Sequence, residues 1–102
     1  AAGDALLAAP PEPLRGMLEV RGLGLFRNLP VSAPARLRLV VDLLDGEDTP
    51  SRLPEPRDWQ ALGQVLPRVA LRGHEASAPD KVAFALAAAT RRYATAAGAF
   101  AA

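Results

Sequence analysis

Glu19 and Arg21 stand two residues apart in M-L-E-V-R-G-L-G-L-F, residues 17–26, the stretch of this chain whose residue types and spacing best suit chemistry. If the stretch is extended, alternation puts Leu18 and Val20 on one face and Glu19 and Arg21 on the other, about 7 Å apart along the backbone. A carboxylate can ligate a hard cation, and a guanidinium is a rigid, permanently charged fork for phosphate oxygens. Gly22 and Gly24 follow; glycines in a strand mark a bulge or a close approach of backbone to another group, and an anionic ligand suits that description. By pattern alone the better fit is an exposed Glu–Arg pair on an edge strand ahead of a glycine turn, because short motifs carry little weight unaided.

Other reactive residue types are sparse. Arg36 and Arg38 could bind phosphate, but their pattern is first that of a solvated strand face. Arg52 lies in residues 46–56, a proline-rich and acidic stretch long enough for a surface loop that does more than connect. His74 is the single histidine and cysteine is absent, so thiolate metal sites, disulfides and histidine metal clusters are excluded. A His74–Glu75 acid/base pair lacks a nucleophile beside it, and a surface histidine is the better reading.

The elements that must position these groups can be read from periodicity. Residues 5–8 form a short apolar run, ended by three nearby prolines that cannot donate to a ladder. Residues 28–34, with Pro30, Ser32 and Pro34, form a loop. Residues 36–45 alternate, which predicts one strand with Leu37, Leu39, Val41 and Leu43 on a common face. Trp59 is expected to be a packing anchor, residues 62–66 a short helix or strand, and 68–72 a strand with Val69 and Leu71 inward. Ser77, Pro79 and Asp80 predict a helix start, and the helix is expected to reach Ala97 with a buried stripe of Val82, Leu86, Ala89 and Tyr93. Arg91 and Arg92 would then complement its C-terminal dipole, and Gly98 would stop it.

The chain has 102 residues, half of them apolar, and a net charge of +1, which bounds it to one domain with a modest core. The balanced charge argues against an arginine-based nucleic-acid binder. The longest apolar run is eight residues, 82–89, too short to span a membrane, and no signal peptide opens the sequence; the default expectation is a soluble, cytoplasmic protein. The opening A-A-G-D-A-L-L-A-A-P, with Ala at position 1, reads as the middle of a longer protein. Strands preceding one helix predict mostly antiparallel pairing and an α+β arrangement if the chain stands alone.

The block E-V-R-G-L-G at 19–24, preceded by M-L, resembles the signature of the HPr kinase/phosphorylase family. The likeness continues through V-V-D-L-L at 40–44, S-R-L-P-E-P at 51–56, A-L-G-Q-V-L-P at 61–67 and E-A-S-A-P-D-K-V at 75–82. These blocks, in this order, resemble the C-terminal part of the short form found in alphaproteobacteria, over most of residues 6–90. The resemblance implies that residues 1–102 complete an α/β, P-loop kinase-like fold, usually assembled as a hexamer. It further implies an ATP- and Mg²⁺-dependent protein-serine kinase and phosphorylase acting on the phosphocarrier HPr, which regulates the sugar phosphotransferase system and carbon metabolism.

Carried over by position, Glu19 matches the acidic residue near metal and phosphates, and Arg21, Gly22 and Gly24 match the rest of the signature. Arg52 matches an arginine that contacts the transferred phosphate, although Pro54 stands where the family has glycine. Lys81 falls near a polar residue that opens the family's last helix, too loosely for a role. The sequence contains no G-x-x-x-x-G-K-[ST], and the family's catalytic aspartate pair would lie upstream of these residues, so the chain alone is expected to be inactive. The alternative is a non-catalytic remnant that serves as an interaction or regulatory module.

Overall fold

The computed structural model describes residues 5–101, and the chain divides into two compact units, Ala1–Leu37 and Arg38–Ala102. The strands are β1 (Leu7–Ala8), β2 (Leu18–Val20), β3 (Gly24–Phe26), β4 (Ala35–Arg36), β5 (Val40–Leu44), β6 (Asp58–Ala61) and β7 (Gln64–Arg72), followed by one helix, α1 (Ala78–Ala89). β1 pairs with β4, β2 with β3 and β6 with β7, all antiparallel, while β5 and β7 run parallel. The arrangement is α+β, mostly antiparallel, with the helix at the C-terminal end.

In the first unit Leu6 is the buried residue, and its carbonyl accepts the Leu37 N–H at 2.8 Å beside the short β1–β4 ladder. The strand expected over 36–45 is in fact two strands. Arg36 ends β4, β5 begins at Val40, and the units part between Leu37 and Arg38. Alternation ran unbroken through a boundary that backbone pairing does not cross.

The second unit is built on β7, flanked by β5 and β6 in the order β5-β7-β6. The stretches expected separately at 62–66 and 68–72 are one nine-residue strand that contains Pro67. β6 turns into β7 through Leu62 and Gly63, with Ala61 opposite Gln64 and φ of 49° and 75°. Two positive φ values in a two-residue hairpin loop describe a type I′ turn, whose right-handed twist suits the strands but which favours Asn-Gly. Leu62 is 90% exposed there and gains nothing by burial. Leu62→Asn should therefore raise stability by about 1 kcal/mol, read as a higher urea midpoint at unchanged slope.

Facing residues of β5 and β7 share a side of the sheet, so Asp42 and Arg68 lie together. Arg68 Nε donates to Asp42 Oδ2 at 2.5 Å and Nη2 to Oδ1 at 3.1 Å, a bidentate pair about one-third exposed on each side. The Arg68 hydrogen bond is the largest influence on the Asp42 carboxyl and holds it below its usual range, with the charges of Arg68 and then Arg57 adding to it against partial desolvation. A carboxyl depressed in the folded state stabilises fully above its unfolded pKa, about 3.9, and loses that contribution as pH falls toward the folded value. Urea midpoints should accordingly fall more steeply below pH 4 for the parent chain than for Asp42→Asn.

α1 starts where the sequence predicts, after Ser77 and with Pro79 in its first turn, although the Ser77 side chain makes no capping bond. It ends at Ala89, eight residues short of the expectation. Arg91 takes a φ of 63°; its N–H bonds the Ala88 carbonyl at 3.0 Å, and the Arg92 N–H reaches Ala87 at 2.7 Å. That is a Schellman closure with arginine in the place glycine usually takes, so neither Gly98 nor a dipole-facing arginine pair ends the helix. The buried residues of α1 are Ala78, Ala85 and Ala87, while Val82, Leu86 and Tyr93 of the expected stripe are exposed. Ala78 and Ala85, seven residues apart, share one face of the helix, and α1 packs on β7.

Among the described residues the buried apolar set is Leu6, Val69, Ala78, Ala85 and Ala87, and no large side chain is fully enclosed. The accessible surface is 8116 Å² for 10.7 kDa. A folded monomer of that mass exposes about 5500 Å², and the same mass divided between two separate bodies of these unit sizes about 6600 Å². The excess is therefore not explained by division into units. Leu18, Leu23, Leu25, Leu43, Val65 and Phe84 carry part of it, all more than half exposed.

Candidate functional site

The signature stretch folds as the β2–β3 hairpin, with Leu18 opposite Phe26, Glu19 opposite Leu25 and Val20 opposite Gly24. β2 stops at Val20, so the alternation that would set Arg21 beside Glu19 on one strand face ends one residue short. Arg21 instead occupies a turn closed by the Leu23 N–H and the Val20 carbonyl at 2.9 Å, with Gly22 third at φ 87°. Positive φ at the third position is what a type II turn requires. Gly24 has φ 141°, and a Cβ built on either glycine meets nothing within 4 Å.

Both glycines are thus held by backbone conformation, not by crowding, and the surface over them is open. At the base of the hairpin the Leu29 N–H bonds the Gly16 carbonyl at 3.0 Å, which ties its two ends together. Glu19, Arg21, Gly22 and Gly24 are all exposed. Glu19 can offer one carboxylate to a cation, and no group of three or more His, Cys, Asp or Glu side chains suited to a metal exists among the described residues. A lone carboxylate fits Mg²⁺, which keeps most of its waters and takes phosphate oxygens for the remainder, and does not fit a cation that needs an all-protein cage.

Arg52 belongs to the second unit, in the loop between β5 and β6, so the first unit holds four of the predicted site residues and the second holds one. It is exposed and has no ion pair or hydrogen bond among the described residues. The loop lines one side of an open groove that also receives Arg57, Arg68, Phe84, Tyr93 and Phe100. Phe84 and Tyr93 stack at 5.4 Å between ring centroids. Lys81 reaches the groove too, but its Nζ is engaged by Glu75 Oε2 at 3.1 Å, and Glu75 also faces Arg72 at 3.7 Å.

Reading the sequence missed Arg57, Phe84 and the Asp42–Arg68 pair. Arg57 directly precedes β6, and its loop position gave no periodic signal. Asp42 inside an otherwise apolar V-V-D-L-L was a signal, since a charge in such a run needs a partner. His74 is an exposed turn residue, as expected. No helix among the described residues is long and apolar enough to cross a membrane. No family model, curated protein or solved structure matches the chain.

Proposed function

We propose that this chain is the C-terminal part of an ATP-dependent serine kinase/phosphorylase acting on the phosphocarrier HPr, a cytoplasmic regulator of sugar uptake that works as a homo-oligomer, a hexamer in the family it resembles. The observation that carries the reading is the β2–β3 hairpin. Its R-G-L-G residues form a turn that needs glycine at Gly22 and leaves the surface over Gly22 and Gly24 open, with Glu19 and Arg21 alongside. A loop of that kind suits phosphate oxygens, because backbone can approach them without a side chain between.

Glu19 is assigned to Mg²⁺, Arg21 and the two glycines to phosphate, and Arg52 to the transferred phosphoryl group. Bound Mg²⁺ would neutralise charge on the ATP phosphates. The chain supplies no P-loop, so the phosphate cradle must come from another stretch of polypeptide. The unburied apolar surface supports this, since a unit that completes a larger domain keeps such faces for the part it joins.

The test is complementation. The chain is mixed, or fused, with the P-loop half of a related HPr kinase, and serine phosphorylation of HPr is followed with Mg²⁺ and ATP. The chain alone should give no transfer, the combination should, and Glu19→Gln should reduce transfer about 100-fold without altering assembly. If the combination assembles and remains inactive, the remnant reading, an interaction or regulatory module, replaces this one.

A further inference from the structure

The two neighbours of β7 divide its length. β6 pairs with Gln64–Pro67 and β5, on the opposite edge, with Arg68–Arg72. On the β6 side the second half of β7 therefore has no strand beside it among the described residues. The Arg68 N–H donates to the Arg57 carbonyl at 3.0 Å, which fixes the direction of its main-chain groups toward the β6 side. A strand repeats every two residues, so Ala70 and Arg72 direct theirs the same way. The Arg72 carbonyl accepts from the Glu75 N–H at 3.2 Å. Among the described residues the N–H and C=O of Ala70 and the N–H of Arg72 remain for an incoming chain.

This open edge lies in the groove lined by Arg68–Leu71, by the loop carrying Arg52 and Arg57, and by Phe84, Tyr93 and Phe100. An exposed edge beside a groove is how sheets take up extended peptides: main-chain bonds hold the peptide and the walls select its side chains. The walls here have a sign. Arg68 is occupied by Asp42 and Lys81 by Glu75, whereas Arg52 and Arg57 have no ion pair among the described residues, the Arg57 charge acting on Asp42 only at longer range, and Glu55 is the one acidic lining residue left over. The stacked Phe84 and Tyr93 add an apolar wall, each more than half exposed.

We propose that the groove binds an extended, acidic segment of a partner polypeptide as an added strand, hydrogen-bonded to Ala70 and Arg72 with its carboxylates facing Arg52 and Arg57. The site shares Arg52 with the phosphoryl role proposed above, but the free edge of β7 and Arg57 have no part in that role, so strand addition at Ala70 and Arg72 can fail or hold independently of it. With so short an edge the affinity is in the micromolar to millimolar range, set by charge as much as by backbone.

The experiment uses the full chain, labelled with ¹⁵N, and three N-acetylated octapeptides. One alternates valine with glutamate, the second replaces glutamate by lysine, and the third is the glutamate peptide N-methylated throughout. The glutamate peptide should shift the Ala70 and Arg72 amides and slow their hydrogen exchange at least tenfold. The lysine and N-methylated peptides should bind at least tenfold more weakly, and an Arg52→Glu, Arg57→Glu chain should reverse the charge preference. Equal binding of all three peptides would show general apolar association and overturn the proposal. So would unchanged Ala70 and Arg72 amides at about 1 mM glutamate peptide, or concentration-dependent protection of those amides without peptide, which would place a second copy of the chain on the edge.

Discussion

Val69→Asp should unfold the second unit. Val69 lies in β7, the strand that both β5 and β6 depend on, opposite Val41, and it is 9% exposed, the one branched side chain of its unit buried to that degree. A carboxylate there would lose its hydration at a buried position, and the nearby Arg68 is already taken up by Asp42 on the other face of the sheet. Such substitutions belong to the class that costs more than about 4 kcal/mol. A 65-residue unit at ordinary stability per residue has about 3–10 kcal/mol in total.

The control is Val65→Asp, on the same face of the same strand but 55% exposed, which should change the midpoint little. Far-UV circular dichroism and urea titration separate the two. A folded Val69→Asp chain with an unaltered midpoint would mean that β7 is not the centre of the unit.

The contrast between those two valines shows what the sequence could and could not express. Alternation named Val69 and Leu71 as inward, and Val69 is buried. The same alternation put Leu37, Leu39, Val41 and Leu43 on one face of one strand, yet Leu43 is 68% exposed and the segment is shared by two sheets. Periodicity reports which side chains want burial; whether a partner layer is present within the chain is a tertiary matter. V-V-D-L-L, apolar on both faces of the strand, already carried the mark of a parallel strand made for covering on both sides.

The helix repeats the lesson at its two ends. Its start was legible because proline and an acidic residue suit a first turn whatever surrounds it. Its stop was not, because arginine at position 91 adopts a left-handed conformation that residue type disfavours. In the candidate site the glycines of the β2–β3 hairpin were legible as a backbone requirement and, from pattern alone, as a turn, which is what Val20–Leu23 forms. The groove of the second unit was not legible at all, since Arg57, Phe84 and Tyr93 reach it from separate elements.

Arg52→Ala should lower the phosphorylation rate of HPr in the complemented kinase about 1000-fold, with the apparent KM for ATP nearly unchanged. An arginine that meets charge developing on the transferred phosphoryl group acts mainly in the transition state, and removing such a group costs about 10³-fold or more. Loss of transition-state contact alone lowers kcat and kcat/KM together, whereas loss of ground-state binding would appear in KM. Arg52→Lys should recover little, because a point charge does not reproduce the planar fork. Stability provides the internal control: Arg52 is exposed and makes no hydrogen bond or ion pair among the described residues, so its removal should shift the unfolding free energy by less than about 0.5 kcal/mol. A fall in rate without a fall in stability assigns the effect to chemistry. An Arg52→Ala enzyme as fast as its parent would remove Arg52 from the proposed site.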